Sequence, residues 1–209
     1  MPTIWSDTVG LRPFEDPVSD AEAERVYHWS RDDQVLRWSG GVPTELTLED
    51  FREHLRGERW HAPNNRRAFF IITRPFDGVH LEPSRWTQGG ELIGRIGVFA
   101  IDHEHRDGEL GIVIGEPDYW GKHYGRDAIK TMLRHLFTTT SLDRIYLFTF
   151  ADNLRAQHCF AACGFHSLGA ARRFSPEVGE YDGIEMEITR REFLERRVSI
   201  SIPLAKEQP

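Results

Sequence analysis

The chain is short of cysteine, of long apolar runs and of basic charge, and each shortage removes a class of function. Only Cys159 and Cys163 occur in 209 residues. One helical turn apart, they would share a helix face, where disulfide geometry is poor and two small apolar groups pack well. That pairing speaks for a reducing, cytoplasmic setting. The longest apolar runs, such as Phe69-Phe70-Ile71-Ile72, are far too short to cross a bilayer. The first residues, Met1 to Asp7, hold neither a basic n-region nor an apolar h-region, so no signal peptide and no membrane partner are expected. A net charge of −7 argues against a nucleic-acid partner, which would need a basic face. It suits a cationic amine substrate, or simply keeps the chain soluble. No internal repeat or low-complexity block is visible.

What remains describes an ordinary globular chain, 39% apolar and 28% charged, long enough for a real core. We expect a single domain over residues 1–197 and a C-terminal tail over 198–209. Val9 to Phe14 reads as a first strand. Ser19 with Glu22 three residues on is a capping box, opening a helix that turns Ala23, Val26 and Tyr27 inward. Thr47 caps a second short helix carrying Phe51 and Leu55. Ala68 to Thr73 is a strand buried on both faces. Glu91 to Ile101 and Glu109 to Gly115 follow as strands, with Asp107-Gly108 in the tip between them. The stretch Arg74 to Gly90 is a long loop, and loops of that length are usually functional or mobile.

Beyond Gly115 the pattern changes. Ile129, Met132, Leu133, Leu136 and Phe137 recur at helical spacing between Arg126 and Phe137, a stripe made to lie on a sheet. Ile145 to Phe150 is the next strand. Asn153 to Cys163 is a second helix, ended by Gly164 as its C-cap. Ile184, Met186 and Ile188 alternate with glutamates in a last strand, and a weak alternation continues past Arg197. The order is mixed α/β, a meander followed by helical crossovers.

The turn between strand and helix carries the functional argument. It reads Tyr119-Trp120-Gly121-Lys122-His123-Tyr124-Gly125-Arg126-Asp127-Ala128. Gly121 and Gly125 let a backbone approach a ligand closely, and a helix N-terminus offers free N–H groups to a phosphate. Lys122 and Arg126 add positive charge. A Walker A loop is the obvious rival and matches poorly: five residues instead of four separate Gly115 from Gly121-Lys122, and His123 stands where Ser or Thr must hold Mg²⁺. Glycines for a tight turn and nothing more is the plain alternative.

This turn, read with Asn153, Ala156, Gly164 and Phe165 one strand later, resembles the GNAT family of acyl-CoA-dependent N-acetyltransferases, in its RimJ/RimL-like branch. That branch commonly reads W-G-K-G-Y-G/A-T-E-A at the turn and N-x-x-A-x-x-x-Y-x-x-x-G-F after it. Leu11-Arg12-Pro13-Phe14 and Trp29 with Asp32-Asp33-Gln34-Val35 are similar to the N-terminal part of the same branch. The resemblance implies a GNAT fold, with an antiparallel meander and then parallel strands around a splayed coenzyme A site. It implies acetyl-CoA as co-substrate, its pyrophosphate on the amides from Gly121 to Arg126, with Trp120, Lys122, His123, Tyr124 and Gly125 in the turn. Its pantetheine arm would pair with Ile112, Val113 and Ile114, and an N–H near Val113 or Ile114 would polarise the thioester. Asn153 would reach the pantetheine, and Phe160 would line the thioester end.

Two residues depart from the pattern. His123 replaces the central glycine of the turn, so it points away, contacts phosphate, or lowers affinity. Phe160 replaces the tyrosine that often protonates the leaving thiolate. Glu109 is the candidate base, directly or through water; its alternative is a solvated hairpin-edge carboxylate. His103 and His105 share a strand face, but no third ligand accompanies them and no metal is expected. The implied acceptor is a primary amine, whether a protein N-terminus, a polyamine or another small amine, and a homodimer is compatible with the family. Trp29, Trp38 and Trp86 are candidate walls for it. A non-catalytic acyl-CoA-binding module on the same fold is the rival reading.

Overall fold

A computed structural model describes residues 2–57, 65–74, 90–175 and 179–201. One eight-stranded sheet organises them. The strands are β1 (Ile4–Trp5), β2 (Val9–Pro13), β3 (Arg67–Thr73), β4 (Leu92–Asp102), β5 (Asp107–Ile114), β6 (Arg144–Phe150), β7 (His166–Ser175) and β8 (Gly179–Thr189). Their order across the sheet is β1-β2-β3-β4-β5-β6-β8-β7. Every neighbouring pair is antiparallel except β5 and β6.

The helices divide between the two sheet faces. Strand β3 is the reason: Phe69, Phe70, Ile71 and Ile72 are all buried, and successive side chains point to opposite faces. Phe69 and Ile71 join the core under α4 (Tyr124–Thr139), with Ile129, Met132, Leu133 and Leu136. Phe70 and Ile72 join a second core under α1 (Asp20–Trp29) and α3 (Leu48–Arg56), with Ala23, Val26, Phe51 and Leu55. Both start signals form as the spacing predicts. The Ser19 hydroxyl accepts from the Glu22 N–H while Glu22 accepts from the Ser19 N–H at 3.0 Å, and the Thr47 hydroxyl accepts from the Asp50 N–H.

Three elements escape the sequence pattern. Helix α2 (Asp33–Ser39), capped by Asp32 and closed by Gly40 at φ 69°, buries only Val35, so no stripe announces it. Strand β1 is two residues long. Strand β7 is an edge strand paired only to β8 and largely exposed, so it shows no alternation. The β4–β5 turn also shifts: it lies at residues 103–106 with Arg106 at φ 59°, and Asp107-Gly108 opens β5 instead of forming the tip. A Cβ on Gly108 would lie 2.5 Å from Val98, so this glycine serves packing. The alternation past Arg197 is helical, since α6 (Arg190–Ser201) runs through the expected boundary at 197.

The sheet opens at one place. Strand β5 pairs with β6 only from Asp107 to Glu109, opposite Arg144 to Tyr146. Beyond that both strands continue without pairing to each other, so residues 110–114 present a free edge toward β6. Helix α5 (Leu154–Cys163) follows β6 and borders that gap.

Candidate active site

The free edge of β5 has a defined polarity. Gly115 N–H donates to the Ile93 carbonyl at 2.9 Å, and a Cβ on Gly94 would meet the Val113 carbonyl at 2.3 Å. Hydrogen-bonding direction alternates along a strand. Val113 therefore spends its backbone on β4, while Ile112 and Ile114 turn theirs to the gap. Trp120 Nε1 already donates to the Ile114 carbonyl at 2.8 Å. The groups left at the opening are both polar atoms of Ile112 and the N–H of Ile114. Of the two expected oxyanion donors, the geometry retains Ile114 and removes Val113, which borders the gap with its side chain.

The turn after β5 holds two residues in left-handed conformation. Gly121 has φ 74°, and nothing lies within 4 Å of a Cβ placed there. His123 has φ 70°, is the N-cap of α4, and makes no side-chain cap hydrogen bond. A non-glycine residue in this region carries roughly 1 kcal/mol of strain. Among the described residues, no side chain accepts from the first N–H groups of α4. Asp127 does not supply one. Its Oδ2 accepts from Ser6 Oγ at 2.6 Å, Thr8 Oγ1 at 2.6 Å and Thr8 N–H at 3.0 Å, anchoring the β1–β2 connection to α4.

Around these groups lies a cavity of about 480 Å³. It is lined by Ile112, Val113, Ile114, Trp120, Gly121, His123, Gly125, Arg126, Asn153 and Phe160, all expected from the sequence. Two expected residues are elsewhere: Lys122 is exposed, and the Tyr124 ring packs edge-on against Tyr119 with centroids 5.1 Å apart. Asn153 is buried, and its Oδ1 accepts from Ala156 N–H at 3.1 Å as the cap of α5. Its amide nitrogen is the part left for a ligand. Arg155 stacks over the Trp120 ring at 4.0 Å and lines the same space.

Sequence reasoning missed several wall residues. Tyr119 donates to Glu91, which also pairs with Arg25; that hydrogen bond holds the Tyr119 hydroxyl up at about 12. Cys159 lines the cavity, and a hydrogen bond with Cys163, then Arg126 and Arg155, hold its thiol below the ordinary range despite burial. The same bond, with burial, pushes Cys163 up.

A second cavity of about 530 Å³ adjoins the first and shares Trp38, Ser39, Ile112, Val113, Asn153, Ala156 and Phe160 with it. Its floor is the sheet face carrying Arg95, Gly97, Phe99, Glu109 and Gly111. The glycines make room for Phe99: its ring lies 2.9 Å from a Cβ placed on Gly97 and 3.1 Å from one on Gly111. Glu109 sits here, its Oε1 2.5 Å from Arg173 Nη1, and Arg173 also reaches Glu185 at 3.3 Å. Of the candidate aromatic walls, Trp38 lines both cavities. Trp29 is buried instead: it packs where a Gly115 Cβ would be, 2.1 Å from the ring, and donates to Glu116 at 2.9 Å. Trp86 and most of the Arg74 to Gly90 loop lie outside the described residues.

His103 and His105 do not converge on a site. His105 Nδ1 is 2.8 Å from Asp102 Oδ2 in the β4–β5 turn. Among the described residues no group of three histidine, cysteine or carboxylate side chains is arranged to hold a metal, and no helix is long and apolar enough to cross a membrane.

Comparison with known proteins matches this geometry. Residues 9–166 fit the family model described as an acetyltransferase (GNAT) domain. The spermidine N(1)-acetyltransferase of Escherichia coli K12 is 31% identical over 195 residues, covering 93% of this chain and 91% of that protein. The N-acetyltransferase YoaA of Bacillus subtilis is 24% identical over 187 residues, 85% of this chain and 90% of its own. In fold, the spermidine N-acetyltransferase of Vibrio cholerae, solved with CoA and spermine, aligns with a TM-score of 0.67 at 22% identity over 89% of this chain and 98% of that one. With the family model spanning β2 to β6, the turn and both helices of the gap, the chain belongs to the GNAT acetyltransferase family.

Proposed function

We propose that the chain transfers an acetyl group from acetyl-CoA to a primary amine by direct attack of the amine on the thioester. One observation carries the reading: two cavities meet at the unpaired edge of β5, where Ile112, Val113, Asn153 and Phe160 line both. The donor's phosphates would sit on the uncapped N-terminus of α4, with Gly121, His123, Gly125 and Arg126 around them. Its pantetheine would extend the sheet along Ile112 and Ile114, and the Ile114 N–H would hold the developing oxyanion. The amine enters from the second cavity, past Glu109.

Phe160 has no proton to give, so the thiolate of coenzyme A leaves unassisted; thiols near pKa 8.5 make that tolerable. The ammonium proton passes to Glu109 or to water, and Arg173 fixes the carboxylate where the amine would arrive. The turn's RimJ/RimL-like wording and the spermidine acetyltransferase relatives both fit an amine acceptor. The fold itself names none, because one fold hosts many substrates.

The test is release of coenzyme A, read with a thiol reagent, when the protein and acetyl-CoA meet a panel of polyamines, amino acids, simple amines and peptides. Acceptor-dependent release is expected. Binding of acetyl-CoA without release on any amine would instead favour a non-catalytic acyl-CoA-binding module, which the His123 side chain in the turn and the missing acid at Phe160 would suit.

A further inference from the structure

The second cavity contains a cation without a counter-ion. Arg95 lies in the middle of β4, a strand otherwise made of apolar residues and glycine between Leu92 and Ile101. It stands directly opposite Val113 and on the same face as Phe70. Its side chain lines the cavity. Arg173, on the same wall, is matched by Glu109 and Glu185. Arg95 is half-buried and has no ion pair or hydrogen bond among the described residues, and desolvation pushes its guanidinium below the usual arginine range.

A guanidinium carries five donors and stays charged at any ordinary pH, so one that faces a cavity with no protein partner keeps those donors for water or a ligand. Nothing in the packing demands a charge there, since its neighbours across the sheet, Phe70 and Val113, are apolar. Its place makes sense when a ligand supplies the missing anion. Planar, bidentate donors select a carboxylate. The remaining walls include Phe99, Phe148, Phe150 and Tyr181, which suit an apolar body.

We infer, resting on the acetyl-transfer reading, that the acceptor is a small amino acid with an apolar side chain, its carboxylate held by Arg95 while its amine faces the thioester. Arg95 is thus a specificity residue. The chain's overall acidity would favour a polycation, but the Glu109 and Glu185 carboxylates on this wall are engaged by Arg173, which leaves Arg95 as the charge facing the ligand. A local positive field disfavours spermidine.

The experiment compares matched pairs differing only in the carboxylate: leucine with isoamylamine and phenylalanine with phenethylamine, beside spermidine, in wild type, Arg95→Met and Arg95→Lys. The wild type is expected to favour each amino acid in kcat/KM by roughly 50-fold or more, the range of a charged hydrogen-bonded pair. Arg95→Met should lose that preference through KM for the amino acid, leave KM for acetyl-CoA unchanged, and melt no lower than wild type because no partner is lost. Arg95→Lys should keep part of the preference. Equal or better use of the decarboxylated amines or spermidine by wild type overturns the inference, as does an unchanged ratio in Arg95→Met. If no amine is acetylated, the acetyl-transfer reading fails, and the inference is read by calorimetry with N-acetylleucine on the CoA-saturated protein. Binding by wild type and not by Arg95→Met supports an anion site; equal or absent binding overturns it.

Discussion

At the scale of single residues, the site is built from groups that a packed fold would rather not contain. His123 sits in a left-handed turn where glycine costs less, and Arg95 lines a cavity with no partner among the described residues. Cys159 belongs with them. Its thiol faces the first cavity and is held below the ordinary range by Cys163, Arg126 and Arg155. Since the thiolate is the nucleophile, iodoacetamide should modify Cys159 at pH 7 faster than an ordinary cysteine, the rate falling as pH drops through the lowered pKa. Coenzyme A should protect it, while Cys163, pushed upward, should stay inert. Peptide mapping after a short exposure reads both. Modification of Cys159 unaffected by coenzyme A would place the cofactor elsewhere. Legibility at this scale was uneven. The turn glycines announced themselves because a positive φ or close approach leaves a mark in sequence. Arg95 also left one, a lone charge in an apolar strand, which a reading focused on the turn passed over. That Asn153 spends its oxygen on capping α5 has no sequence signature beyond its position.

Among elements, the decisive one is β5, which stays paired with β4 to Ile114 but holds β6 for three residues and then lets go. Its position depends on what lies behind it. Gly115 follows β5 directly, and the Trp29 ring of α1 occupies the space of its missing side chain, while Trp29 and Arg25 both reach Glu116. A methyl group there has nowhere to go, because an indole in a buried core cannot shift freely. Gly115→Ala should therefore cost about 2 kcal/mol and lower Tm by about 5 °C, with a further loss of acetyl-CoA affinity as the turn is displaced. Thermal denaturation checks it; an unchanged Tm would mean that α1 does not set the position of β5. The helices that carry stripes or caps, α1, α3, α4 and α5, were readable because each buries one face and starts on a capping side chain or a glycine turn. Strand β7 was not, since an edge strand with both faces wet keeps no alternation, and α2 is too short for a period.

Across the whole molecule, one sheet with a core on each face opens, among the described residues, between β5 and β6, where backbone groups inside the sheet go unpaired. Family and fold were legible because the order strand, glycine turn, helix, strand, helix is imposed by how the gap is built. The acceptor was not, because the second cavity is walled by side chains drawn from β4, β6, β7 and β8, which are distant in sequence and follow no common spacing. The central claim is that this gap and the α4 turn hold the acyl donor. Gly125 tests it, for a Cβ there would make only ordinary contacts, 3.7 Å from Ile114 and 4.0 Å from Cys159, whereas an indole would fill the cavity. The most direct measurement is a calorimetric titration of acetyl-CoA into wild type and Gly125→Trp, with melting curves of both. The account predicts one site in wild type, at least a tenfold loss of affinity in the variant, and a folded protein in each case. Undiminished binding by a folded Gly125→Trp variant, or no binding by wild type, would contradict it.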